Sequence, residues 1–174
     1  MGLRINDIVP NFIAETDQGQ ITFHEWIGDS WAILFSHPKD YTPVCTAEFG
    51  AVAQLADENL AVSKQFDMLP ADAYLPDGRT AADSASVRSV FIISPDKKVQ
   101  LIMTYPMSVG RNFAEVLRAL DGLQATIGQP IATPANWTMG QDVIVALTLN
   151  DDQAREKFGE IDVKLPYLRT TKHA

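Results

Sequence analysis

Cys45 is the one cysteine in the chain, and the residues before it, Thr42-Pro43-Val44, read as the start of a helix. Threonine is a good N-cap because its hydroxyl can accept from an orphan N–H. Proline at the first helical position loses no bond it could have made. Cys45 then falls in the first turn, where unpaired N–H groups and the positive end of the helix dipole favour negative charge. The thiolate is the nucleophilic form of cysteine, and helix N-termini lower cysteine pKa. The position therefore suits nucleophilic or redox chemistry. It suits a small core residue equally, since Cys45, Phe49, Val52 and Ala56 share one face at helical spacing. Histidines at 24, 37 and 173 have no metal-ligand spacing, and no phosphate loop or dinucleotide motif is present. Neither a metal nor a cofactor is expected.

The elements that must position this cysteine are readable from pattern. Phe12-Ile13-Ala14 reads as a short strand and Asp17-Gln18-Gly19-Gln20 as a turn. The apolar run from Trp31 to Ser36 has strand length and predicts a buried central strand. His37-Pro38-Lys39-Asp40-Tyr41 is then loop, because the residue before a proline resists helical angles. The cysteine helix follows, and its stripe continues through Val62, Phe66 and Leu69 to a stop at Pro70. Val90 to Ser94 and Val99 to Thr104 flank the turn Pro95-Asp96-Lys97-Lys98 and predict a hairpin. Asn112 can cap a helix whose stripe is Phe113, Val116, Leu117, Leu120 and Leu123. Gly128 to Pro134 reads as a linker, followed by a strand from Val143 to Leu149, a short helix from Asp151 to Phe158, and a tail ending Tyr167-Leu168-Arg169. The whole predicts a layered α/β domain over 1–128 and a small extension over 129–174.

Composition narrows the function classes. The chain has 174 residues, 46% hydrophobic and 21% charged, which is globular composition. Its net charge of −8, without a basic run, argues against nucleic acid or an anionic membrane as partner. No apolar run approaches the roughly 20 residues of a membrane span, and the N-terminus lacks the apolar stretch of a secretory leader. Gly2 is not followed by Ser or Thr at position 6, so myristoylation is not expected. A single cysteine cannot form an internal disulfide, which fits a reducing cytoplasm.

Pro38-Lys39-Asp40-Tyr41-Thr42-Pro43-Val44-Cys45 matches P-x-x-x-T-x-x-C and resembles the peroxiredoxin signature. The likeness to the one-cysteine branch of that family continues in Leu34-Phe35-Ser36-His37, Thr46-Ala47-Glu48, Val87-Arg88-Ser89-Val90-Phe91, Gly110-Arg111-Asn112-Phe113 and Ala132-Thr133-Pro134-Ala135-Asn136-Trp137. The resemblance implies a thioredoxin-like fold with a central mixed sheet, and a thiol-dependent peroxidase. Cys45 would attack hydrogen peroxide or an organic hydroperoxide and become a sulfenic acid. Thr42 and Arg88 would stabilise thiolate and departing oxygen, and Pro38 would shield the sulfur. His37, Arg111 and Glu48 would bind substrate or support the arginines. With no second cysteine, an external thiol such as glutathione or a small redox protein must reduce the sulfenate. The resemblance also implies a homodimer or larger homo-oligomer, with the region from Thr133 packing on a partner.

The chain departs from that family's pattern near Glu58/Asn59. The end of the cysteine helix, a parallel strand beside the central one, and a further helix have no counterpart there. The stripe across the junction is compatible with one helix over 43–68, and the central strand would lose a neighbour. A true or engineered deletion predicts a weakened peroxidase, even a remnant acting as a holdase or redox-responsive dimer, whereas residues merely omitted from the sequence predict a normal one. A phospholipase A2 activity through Ser30, His24 and Asp96 is the remaining alternative, weakened because Gly28-Asp29-Ser30-Trp31-Ala32 breaks G-x-S-x-G at its last position.

Overall fold

The computed structural model describes residues 2–38, 57, 60–71 and 85–172. Cys45, Thr42 and Glu48 lie outside the described residues, as do the expected turn at 76–78 and most of the cysteine helix. The chain divides into two compact units, Met1–Arg111 and Asn112–Ala174.

In the first unit, β1 (Ile13–Thr16) and β2 (Gly19–Thr22) form an antiparallel hairpin with Thr16 opposite Gly19. The turn falls where the sequence placed it, and Gly19 takes φ 105°, a conformation that costs glycine little. A short helix, α1 (Phe23–Ile27), leads to β3 (Ala32–Phe35). β3 pairs antiparallel with β4 (Arg88–Ile93), which pairs with β5 (Val99–Tyr105) across the expected hairpin turn. The order is β3-β4-β5, so β3 is an outer strand among the described residues. The described pairs in this sheet are antiparallel.

Alternation along β4 sets up two faces. Phe91 and Ile93 enter a core with Val9, Phe12, Phe23, Ile27, Val62 and Phe66. Phe66 is fully buried and meets Phe12 and Phe91 edge-on, at 5.9 and 5.3 Å between ring centroids. Arg88, Val90 and Ile92 occupy the opposite face, with Phe35 beside Val90 and Ile33 beside Ile92.

The single helix over 43–68 is not what forms. α2 spans only Ala61–Gln65, and Leu60 before it is left-handed at φ 55°, ψ 27°. Asp57 explains the start: its carboxylate accepts from Val62 N at 3.0 Å and Ser63 N at 2.8 Å, satisfying first-turn amides. The expected stripe still points inward, since Val62, Phe66 and Leu69 are buried.

In the second unit, Asn112 caps α3 (Phe113–Thr126) by accepting from Glu115 N, as expected. Leu117 was expected in the apolar stripe but is 56% exposed. Small residues turn inward instead: Ala119, Gly122 and Ala125 are buried. Gly122 is packed closely enough that a side chain there would touch Thr133 and Trp137. The supposed linker contains β6 (Ile131–Ala132), and the supposed tail contains β9 (Leu168–Thr171). With β7 (Val143–Val145) and β8 (Asp162–Leu165) they form an antiparallel sheet in the order β6-β7-β9-β8. β7 ends four residues earlier than expected. α4 (Asp151–Phe158) forms where expected, opened by a reciprocal capping box between Asn150 and Gln153. Buried Arg169 explains why the chain's end is fixed: it reaches Asp151 Oδ1 at 2.9 Å and the carbonyls of Ala146 and Leu149 at 3.0 and 2.8 Å. The compact units part at Arg111/Asn112 rather than at 128/129, so α3 groups with the C-terminal extension.

Candidate active site

Pro38 opens the cysteine motif two residues beyond Ser36, at the C-terminal end of β3. β4 begins directly alongside, with Arg88. Burying an arginine is costly unless its donors are met. Arg88 is 2% exposed and its Nε donates to Met107 O at 3.0 Å. That bond comes from the connection leaving β5 and anchors the guanidinium at Nε.

Arg111 lies at the end of the same connection and is 8% exposed. Its Nη1 donates to Ser36 O at 2.6 Å and to Ser89 O at 3.2 Å. Its guanidinium carbon stands 4.9 Å from the centroid of the Phe35 ring, within cation–π range. Phe35 and Arg88 lie on the same face of the sheet by strand alternation. Two permanent cations therefore flank the point where the chain enters the cysteine motif. Such an arrangement can hold an anion and stabilise charge developing on a departing oxygen.

His37 and Pro38 are half-buried. The His37 carbonyl accepts from Ser86 Oγ at 2.7 Å, which anchors the entry to the motif. The structure thus brings together four of the seven expected site residues: His37, Pro38, Arg88 and Arg111. The other three, Cys45, Thr42 and Glu48, fall outside the described residues. Sequence reasoning missed the serine hydroxyls that hold this backbone, Ser36 on Val87 O and Ser86 on His37 O.

Ser30, His24 and Asp96 are not joined by any hydrogen bond among the described residues. His24 Nε2 lies 3.0 Å from Val9 O. Asp96 takes Ser94 Oγ at 2.5 Å on one oxygen and Lys98 Nζ at 2.7 Å on the other. The Lys98 ammonium and the Ser94 hydroxyl hold the Asp96 carboxyl below the usual carboxylate range. A carboxylate committed to its own turn does not orient a histidine elsewhere, so the alternative triad is not joined by hydrogen bonds among the described residues.

Comparison with known proteins bears on this site directly. The family model for the AhpC/TSA family matches residues 5–59, and that for the C-terminal domain of 1-Cys peroxiredoxin matches residues 122–160. Peroxiredoxin-6 of Mus musculus is 39% identical over 218 aligned positions, covering 98% of this chain and 97% of the mouse protein. The chain belongs to the peroxiredoxin family. It is a thiol-dependent peroxidase of the one-cysteine type. Among solved structures, a yeast mitochondrial 1-Cys peroxiredoxin resolved through glutathione/thioredoxin systems superposes with a TM-score of 0.82 at 37% identity, covering 98% of this chain and all of that one. A cysteine-to-serine mutant of Peroxiredoxin 6 of Arenicola marina gives a TM-score of 0.85 at 31% identity over 99% of both chains. The fold is accordingly the thioredoxin-like α/β fold of peroxiredoxins.

The peroxiredoxin alignment also measures the internal departure. Aligning 218 positions against 174 residues leaves at least 44 positions of the mouse protein without a counterpart. The AhpC/TSA match ends at residue 59, where the sequence placed the junction. The left-handed Leu60 and the Asp57 cap stand at that join.

Proposed function

We propose that this peroxiredoxin reduces hydrogen peroxide and organic hydroperoxides through a sulfenic acid on Cys45, which an external thiol resolves. The Cys45 thiolate attacks the nearer oxygen, the S–O bond forms, and the O–O bond breaks. The departing oxygen keeps the bonding pair and takes a proton, leaving as water or alcohol, while sulfur is oxidised to the sulfenic acid. One reducing thiol then displaces water to form a mixed disulfide. A second releases the Cys45 thiol and leaves as the oxidised disulfide. Thr42 supplies a hydroxyl near the sulfur and Glu48 orients an arginine in this reading. Pro38 shields the sulfur, and His37 contacts substrate.

The observation that carries the reading is the pair of buried guanidinium groups, Arg111 on the Ser36 carbonyl just before the cysteine motif and Arg88, at the start of the neighbouring strand, on Met107 O. The glutathione/thioredoxin resolution named for the yeast relative supports an external thiol of that class. A homodimer belongs to the same reading, supported by exposed apolar Leu147, Val163, Leu165 and Tyr167 in the C-terminal unit. A reducing compartment such as the cytoplasm would supply the thiol.

The test couples peroxide consumption to oxidation of NADPH through either glutathione or thioredoxin with their reductases. Sustained consumption is expected only when one of these thiols is present. Peroxide persisting with both thiols would overturn the reading, and suppression of client aggregation by the same inactive chain would establish the holdase alternative.

A further inference from the structure

In a regular antiparallel ladder, two directly opposed hydrogen-bonded residues exchange both of their N–H···O bonds. Ser36 stands opposite Ser89, one step beyond the Phe35–Val90 pair. Half of the exchange is present: Ser36 N donates to Ser89 O at 3.1 Å. In the other half the acceptor differs. Ser89 N donates to the Ser36 hydroxyl at 3.1 Å, and the Ser36 carbonyl instead receives Arg111 Nη1 at 2.6 Å. The same hydroxyl donates to Val87 O at 2.5 Å. Val87 O and Ser89 N belong to the peptide groups on either side of Arg88.

We propose that Ser36 is a positioning residue for both active-site arginines: its hydroxyl takes its carbonyl's place in the ladder, so that the carbonyl serves Arg111 while the hydroxyl brackets Arg88. A hydroxyl offers one donor and two acceptor sites, so it can serve Val87 and Ser89 together. Ser36 is 8% exposed, and an apolar residue there would leave Val87 O and Ser89 N to find other partners in a largely dry setting. The nearest acceptor for Ser89 N is then the Ser36 carbonyl, in competition with Arg111. The proposal rests on the peroxidase reading, because its consequence is felt at Cys45.

The test compares Ser36→Thr, which keeps the hydroxyl, with Ser36→Val, of the same shape without it, and with Ser36→Ala. Each is read twice: by the pH profile of Cys45 thiolate formation, followed by ultraviolet absorbance, and by the rate with hydrogen peroxide. The Thr variant should match wild type. The Val and Ala variants should ionise Cys45 at higher pH and react roughly tenfold more slowly, the scale of one lost buried partner. A folded Val or Ala variant with the wild-type pH profile and rate would overturn the proposal, even if its thermal midpoint fell. If neither folds while Thr does, the hydroxyl serves the fold alone and the positioning role is overturned. Wild type inert to peroxide would instead remove the peroxidase reading, while the thiolate profile would still test Ser36.

Discussion

Replacing Cys45 by serine should abolish peroxide consumption, lowering the rate at least about a thousandfold, or more than about 4 kcal/mol of barrier. The reason is elementary. A free thiol ionises near pH 8.5, close enough to neutrality for modest stabilisation of the thiolate to matter, whereas a serine hydroxyl is far from ionised at neutral pH. Oxygen also cannot be carried through a sulfenic state. The chain holds no second cysteine to substitute, so no partial activity through another thiol is available. Steady-state consumption with a saturating thiol reductant makes the measurement. Comparable rates for wild type and variant would mean that the reaction does not pass through this sulfur.

Arg88→Gln should cost about a hundredfold in the rate with hydrogen peroxide, about 2.7 kcal/mol, the scale found when one preorganised donor to a developing oxyanion is removed. Glutamine keeps a polar tip but loses the positive charge. In the proposed reaction the charge would act twice: it would favour the thiolate, and it would stabilise the oxygen leaving the O–O bond. Losing it raises the pKa of Cys45, so the pH at which the rate reaches half its plateau should move upward. Arg88→Lys should recover only part of the loss, because a point charge replaces the planar fork that Met107 O anchors at Nε. Stopped-flow rates across pH, with thermal unfolding as a check on folding, separate the two effects. An unchanged rate and midpoint in a folded Arg88→Gln would remove the cation from the mechanism.

The chemistry was legible in the sequence where it was local. Thr42 and Cys45 sit three positions apart in one string, so their relation follows from chain spacing. Likewise β3, the β4–β5 hairpin, the Asn112 cap and α4 each announce themselves through neighbouring residues. What was not legible depends on contacts distant along the chain. β9 looks like a tail until Arg169 is seen bound to Asp151 and two carbonyls. Leu117 counts as apolar in any periodicity, yet Ala119 and Gly122 are buried on the inner face, where Gly122 lies against Thr133 and Trp137. The helix across the junction had an apolar stripe interrupted only by polar Asn59 in its seam, and a stripe carries no information about the left-handed turn at Leu60. Ser36 was visible only as the end of an apolar run. Its role emerges from residues 51 to 75 positions away.

The most direct test of the account is a single-turnover experiment on reduced wild type. One equivalent of hydrogen peroxide is added without any other thiol, while free thiol and remaining peroxide are followed together. The account predicts that the single thiol of each chain disappears in step with the peroxide, and that a sulfenic-acid trapping reagent then labels Cys45. Peroxide that persists, or that vanishes while the thiol stays intact, would contradict it.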